Sequence, residues 1–160
     1  MDFSFSENQL MYLDTVRKFV KNEITPHILE MEKAHAFPWS IINKAWEMGI
    51  VNLCIPETIK GFEVDTMSSA LIIEEISYGD TGISTSAMCN DLANIVVSLH
   101  GTEEQKELFL RPFVEKPLLA SFCLTEPGAG SDNSMMTTFI VKQDDGTYIL
   151  NGSKCFITNA

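Results

Sequence analysis

Basic residues are scarce in this 160-residue chain: 11 Lys and Arg stand against 22 Asp and Glu, a formal charge of −11. Such a surface repels phosphate backbones and anionic lipid, which excludes nucleic acid as a partner and binding to acidic membrane surfaces. Long hydrophobic runs are lacking as well. No stretch approaches the roughly 20 apolar residues that a membrane span needs, so no membrane insertion is expected. The opening Met1-Asp2-Phe3-Ser4 has neither the basic nor the apolar region of a secretory signal, and no Arg-rich amphipathic leader is present. A cytoplasmic protein is expected, or a mitochondrial matrix protein if a leader was removed. The few cysteines, Cys54, Cys89, Cys123 and Cys155, stand far apart, with no close Cys or His pair to begin a metal site. They read as reduced thiols, buried rather than reactive. Internal repeats and low-complexity tracts are also missing.

What is present is enough apolar text for a core: 45% of residues are hydrophobic and 21% charged. The first two thirds read as helices. Ser6 and Gln9 form a capping box, and Leu10, Leu13, Val16, Val20 and Ile24 make one apolar stripe that ends or kinks at Pro26. A second helical piece runs from about Pro26 through Glu32. Pro38 to Met48 is a third, closed by Gly49 in a left-handed conformation. The stretch from Ile55 to Asp65 is a loop that wraps back over the helices. Thr66 is expected to cap a helix ending near Tyr78-Gly79, and Thr85 through His100 gives the clearest helical spacing. Thr102 and Gln105 form another capping box, opening a helix that breaks near Pro112.

After Pro117 the text becomes β-branched and alternating. Leu118 to Leu124, Thr137 to Val141 and Tyr148 to Leu150 read as strands, the last two joined by an Asp144-Asp145-Gly146 turn. The fold class is therefore α+β: an all-α helical bundle over residues 1–115, followed by the first strands of a β domain over 116–160. Three strands with an open edge make a poor finished sheet, so this second part is expected to be less stable or covered by a partner chain.

Two runs can carry chemistry. In Thr125-Glu126-Pro127-Gly128-Ala129-Gly130-Ser131-Asp132, the glycines admit close backbone approach, and successive N–H groups with the Ser131 hydroxyl can cradle an anion such as a pyrophosphate. An ordinary turn between strands explains the same text. In Asn151-Gly152-Ser153-Lys154-Cys155-Phe156-Ile157-Thr158-Asn159-Ala160, Asn-Gly is a hairpin signal. The run after it can set Phe156 beside a planar ring and the Thr158 hydroxyl at that ring's polar edge, or it is a plain strand with an aromatic residue in the core. Residue chemistry alone leaves both choices open.

Taken together the two runs resemble the flavin-dependent acyl-CoA dehydrogenase family. The matching text is Thr125 through Asp132, Asn151-Gly152-Ser153-Lys154 and Ile157-Thr158-Asn159. It is supported in the helical part by Phe3 before the first helix, Met48-Gly49-Ile50, Pro56-Glu57, Glu74-Glu75-Ile76 and Gly101-Thr102-Glu103-Glu104-Gln105-Lys106. Where relatives usually have Tyr-Gly-Gly after Pro-Glu, this chain reads Thr58-Ile59-Lys60-Gly61.

The resemblance implies a β-barrel-like middle domain of which only the first part is here, with FAD as cofactor. It implies dehydrogenation of an acyl-CoA thioester to a trans-2-enoyl-CoA, with electrons passed to an electron-transfer flavoprotein, and a homo-oligomer in the full-length enzyme. By family position, Phe122, Cys123, Leu124 and Thr125 lie along the flavin ring, and Gly130 and Ser131 fall at the pyrophosphate, Ser131 also bordering the CoA channel. Phe156 stands where many relatives have Trp, beside the ring. Ile157 and Thr158 follow, with the Thr158 hydroxyl near the hydride-accepting nitrogen. Thr85, Met88 and Leu92 line the acyl-tail pocket, Met88 limiting its length, or Met88 and Leu92 simply pack the core. Glu126 is structural, not the base. The catalytic Glu is expected beyond Ala160, so the isolated chain is expected to be inactive. The competing expectations are a non-catalytic remnant or protein-binding module of the same fold, and a related flavin oxidase or monooxygenase.

Overall fold

The structure is a computed structural model describing residues 4–160; Phe3, one of the residues carrying the resemblance, lies outside the described residues. Helix α1 (Glu7–Phe19) begins with the expected capping box: the Ser6 hydroxyl accepts the Gln9 amide and the Gln9 side chain accepts the Ser6 amide. Leu13, Val16, Val20 and Ile24 turn inward with Phe19, while Leu10, assigned to the same stripe, stays exposed. Pro26 has no N–H to continue the ladder. The chain loosens into a π turn at Val20–Ile24, tightens into a 3-10 turn at Thr25–His27, and resumes as α2 (Ile28–Ala34).

Helix α3 (Trp39–Glu47) buries Ile41, Ile42 and Ala45, and Gly49 turns the chain away with φ +68°. The loop that follows closes on itself, Glu63 donating its amide to the Ile55 carbonyl at 2.9 Å and Val64 to Leu53 at 2.8 Å, and it lies against the helical part as expected, where the Cys54 carbonyl accepts the Ser98 hydroxyl at 2.9 Å. The cap of α4 (Thr66–Gly79) is Asp65 and not Thr66; its carboxylate accepts the Met67 and Ser68 amides, both at 3.0 Å. A carboxylate is the better acceptor there, because its charge also meets the positive end of the helix dipole. Helix α5 (Thr81–His100) likewise starts earlier than Thr85, on Asp80, which accepts the Ile83 amide. Helix α6 (Glu103–Phe109) opens on the Thr102–Gln105 box. Helix α6 ends at Phe109, breaking as expected near Pro112, which falls in the first turn of α7 (Arg111–Glu115), where the missing N–H has no partner anyway.

The core lies among these helices: Val16 and Ile24 meet Ile42 and Ala45 of α3, Ile72 and Ile76 of α4, and Ile83 and Ala87 of α5. A smaller cluster joins Ile55 and Ile59 of the loop to Leu110. Among the described residues no helix is long and apolar enough to cross a membrane.

The β part is an antiparallel hairpin of β1 (Phe139–Lys142) and β2 (Tyr148–Asn151), in register Phe139 to Asn151 and Lys142 to Tyr148, with the turn where the sequence put it. Leu118 to Leu124 is not a strand. Its backbone groups are taken by side chains instead: Asn90 accepts the Ala120 amide and donates to the Leu118 carbonyl, and Lys154 donates to Leu124. Because no sheet covers this segment, Cys123 is exposed, against the expectation of buried thiols; Cys89 is buried, Cys54 and Cys155 partly so, and all four are free.

Candidate functional site

The Gly-rich run forms a closed turn. Glu126 and Ala129 exchange both backbone hydrogen bonds, at 3.0 and 3.1 Å, around Pro127 and Gly128. Under the turn the Glu126 side chain is only 4% exposed. One of its oxygens accepts the Thr137 amide at 2.7 Å and the Thr137 hydroxyl at 2.9 Å; the other accepts the Thr138 amide and the Lys154 ammonium, both at 2.9 Å. These hydrogen bonds from Thr138, Thr137 and Lys154 hold the carboxyl far below the ordinary carboxylate range, against the opposing effect of burial. A carboxylate so engaged cannot take a proton from a substrate at neutral pH, and its structural assignment stands on that geometry.

Lys154 also donates to the Leu124 carbonyl at 2.9 Å, and the Cys155 amide to the Thr125 carbonyl at 3.0 Å. These bonds stitch the Phe122 to Thr125 segment to the second motif. Gly152 serves this joint and not a hairpin: β2 ends at Asn151, and a Cβ on Gly152 would lie 2.1 Å from the Thr138 hydroxyl oxygen. The Asn-Gly pair therefore marks a close approach of the Thr138 side chain to the backbone at Gly152, which turn statistics cannot distinguish from a turn.

Beyond Cys155 the chain bends sharply. Phe156 and Asn159 both have left-handed backbones, φ +57° and +63°, on either side of Ile157 and Thr158. The loop is fastened to α5: the Cys89 thiol donates to the Thr158 carbonyl at 3.7 Å, and the Asn159 amide group to the Ser86 carbonyl at 2.8 Å. Phe156 does not fill a core; its side is bare, at 94% exposure. Thr85, Met88 and Leu92 follow one another along α5 beside the Cys89 docking point. The structure divides them. Met88 leans on the main core, Leu92 is open, and the exposed Thr85 donates its hydroxyl to the Thr81 carbonyl at 2.8 Å.

Phe122 to Thr125, Phe156 to Thr158 and the α5 face thus adjoin, whereas Gly130 and Ser131 lie exposed just past the turn with no bond to the loop among the described residues. The groups fit FAD. The amides of Gly130, Ser131, Ile157 and Thr158 have no acceptor among the described residues, and a Cβ on Gly128 or Gly130 would meet nothing within 4 Å. Open amides suit a pyrophosphate and the bare Phe156 ring suits a flat heteroaromatic face. Sequence reasoning missed Asn90 entirely and gave no role to Asn159 or Lys154; a polar side chain that bonds a distant backbone has no periodicity to show it.

Comparison with known proteins gives a consistent result. Residues 6–116 match the family described as "Acyl-CoA dehydrogenase, N-terminal domain" and residues 121–160 "Acyl-CoA dehydrogenase, middle domain". A curated relative, the probable medium-chain specific acyl-CoA dehydrogenase 2, mitochondrial, of Caenorhabditis briggsae, is 38% identical over 99% of this chain and 38% of its own length. Butyryl-CoA dehydrogenase from Megasphaera elsdenii superposes with a TM-score of 0.90 at 36% identity, over 99% of this chain and 43% of that one. An acyl-CoA dehydrogenase complexed with FAD from Bacillus anthracis gives 0.88 at 34% identity, over 98% and 27%. A chain from a structure of the electron transferring flavoprotein of Acidaminococcus fermentans gives 0.91 at 39% identity, over 99% and 42%. The chain spans about two fifths of the length of the curated relatives it matches.

Proposed function

The chain belongs to the acyl-CoA dehydrogenase family, and from that premise we propose that it supplies the helical wall and one flavin edge of an FAD-dependent acyl-CoA dehydrogenase, divided at residues 1–115 and 116–160. When bound, FAD is the hydride acceptor for α,β-dehydrogenation of the thioester to the trans-2-enoyl-CoA. The residues of this chain bind and orient. Phe122 to Thr125 lie along the ring, with the Thr125 hydroxyl at its polar edge. Phe156 offers its face, and the Ile157 and Thr158 amides and the Thr158 hydroxyl donate to ring acceptors. Gly130 and Ser131 hold the pyrophosphate, Ser131 also facing the CoA moiety. Thr85, Met88 and Leu92 line the acyl tail and exclude water from it. Glu126 is not the α-proton base, because both of its oxygens are already occupied. The reading extends to an electron-transfer flavoprotein as electron acceptor and to a homo-oligomer.

The observation that supports this reading is the double fastening of the second motif, to Thr125 through Cys155 and to α5 through Cys89 and Asn159, which brings the residues proposed for the ring beside the helix proposed for the tail. The test is anaerobic titration of the FAD-loaded full-length enzyme with acyl-CoAs of increasing chain length, since this chain alone is expected to be inactive. Bleaching of the flavin band is expected, with the Met88→Ala variant shifted toward longer chains. A protein that takes up no FAD, or holds it without bleaching, overturns the reading; an unchanged length profile in the variant removes Met88 from it.

A further inference from the structure

A chain of side-chain amides, buried at Asn52 and Asn90 and half-buried at Asn159, runs from the centre of the helical part to the loop that carries Thr158. Asn90, 2% exposed on α5, uses its whole amide: it donates to the Asn52 side chain at 2.9 Å and to the Leu118 carbonyl at 2.8 Å, and accepts the Ala120 amide at 2.7 Å. Asn52 sits in a left-handed backbone, φ +59°, which asparagine tolerates better than most residues, and donates in turn to the Phe113 carbonyl at 3.2 Å. On the other side, the Ala120 carbonyl accepts from Asn159 at 3.3 Å, and the same Asn159 nitrogen reaches Ser86 at 2.8 Å.

From this geometry we propose that Asn159 is the positioning residue for Thr158, with Asn90 and Asn52 fixing the Ala120 carbonyl against which it is set. This deepens the reading of Thr158 as a contact of the flavin ring and rests on it. Asparagine is the residue the position needs. Its NH2 group supplies two hydrogens to two carbonyls, those of Ser86 and Ala120; aspartate brings none, and serine has one on a shorter arm. With the Asn159 side chain and the Thr158 carbonyl both tied to the inner wall, the Ile157–Thr158 backbone is held in one orientation. Its amides and the Thr158 hydroxyl remain free for an outside acceptor. The clamp also covers Cys89, 7% exposed, whose thiol lies against the Thr158 carbonyl.

Cys89 therefore reports on the clamp without any flavin. Native-state maleimide labelling, mapped to each cysteine by mass spectrometry, is compared between the protein and its Asn159→Ala and Asn159→Asp variants, with circular dichroism to verify the fold. Cys89 labelling is expected to rise about tenfold while the already exposed Cys123 keeps its rate, as loss of two hydrogen bonds frees the loop locally. In the FAD-loaded protein the visible band and reduction potential are then read for Asn159→Ala and Thr158→Ala. Both variants are expected to move both quantities, Thr158→Ala by removing the contact and Asn159→Ala by misplacing it. Unchanged Cys89 labelling in both Asn159 variants overturns the clamp. A flavin signal moved by Thr158→Ala but not by Asn159→Ala overturns the positioning role alone. A signal that Thr158→Ala leaves unmoved overturns the ring-contact reading beneath it.

Discussion

Glu126 shows how much one side chain can decide. It sits in the middle of a run whose glycines attract attention, yet its four hydrogen bonds tie the turn to Thr137, Thr138 and Lys154 and so fix where the second motif begins. Glu126→Gln keeps the shape but turns an NH2 group toward donors, which leaves buried donors facing each other. The variant is expected to melt lower by several degrees at pH 7, measured by thermal denaturation. The pH dependence has a definite sign. The folded carboxyl titrates well below its ordinary value of 4.5, so its stabilisation is fully present above that value and is lost as pH falls below it toward the folded pKa. The gap in melting temperature between the protein and Glu126→Gln should thus narrow below about pH 4.5; a gap that widens there contradicts the assignment. Cys54 lies at the opposite extreme. Burial, with the charge of Asp91 beside it, pushes its thiol far above the ordinary thiol range, so it should resist thiolate-dependent labelling.

At the scale of elements, legibility followed the range of the interaction. The Ser6–Gln9 and Thr102–Gln105 boxes, the Gly49 stop and the β1–β2 turn were readable because each is made within a few residues. The strand expected at Leu118 to Leu124 failed because its partners are side chains of Asn90 and Lys154, about thirty positions away in sequence. The site was read as motif positions rather than as a shape. Nothing in the text around Cys89 or Asn159 announces that one loop docks on one helix. The cap of α4 separates the two kinds of signal well, since Asp65 and Thr66 are adjacent and both are acceptable cap residues. Asp65 alone accepts the Met67 and Ser68 amides. Asp65→Ala is therefore expected to lower the melting temperature by a few degrees and Thr66→Ala to leave it nearly unchanged. The reverse order would return the cap to Thr66.

Across the whole molecule, burial is lopsided. The main core draws on residues from Val16 to Ala87, whereas every residue of β1 and β2 is exposed. The register sets Phe139, Val141 and Ile149 on one face of the hairpin and Ile140 and Leu150 on the other, so neither face is polar. Strands apolar on both sides belong inside a larger sheet packing. A two-stranded ribbon by itself is marginal in water. What anchors this one is mainly the Glu126 and Lys154 bracket at its base. Native-state hydrogen exchange should therefore find the amides of 139–151 opening far more readily than those of α1 and α4 near Val16, Ile72 and Ile76, which are almost wholly buried. Equal protection in the two regions would mean that the apolar faces are covered. If that protection rises with protein concentration, the cover is a second copy of the chain, and the homo-oligomer proposed for the enzyme would already form through its first strands.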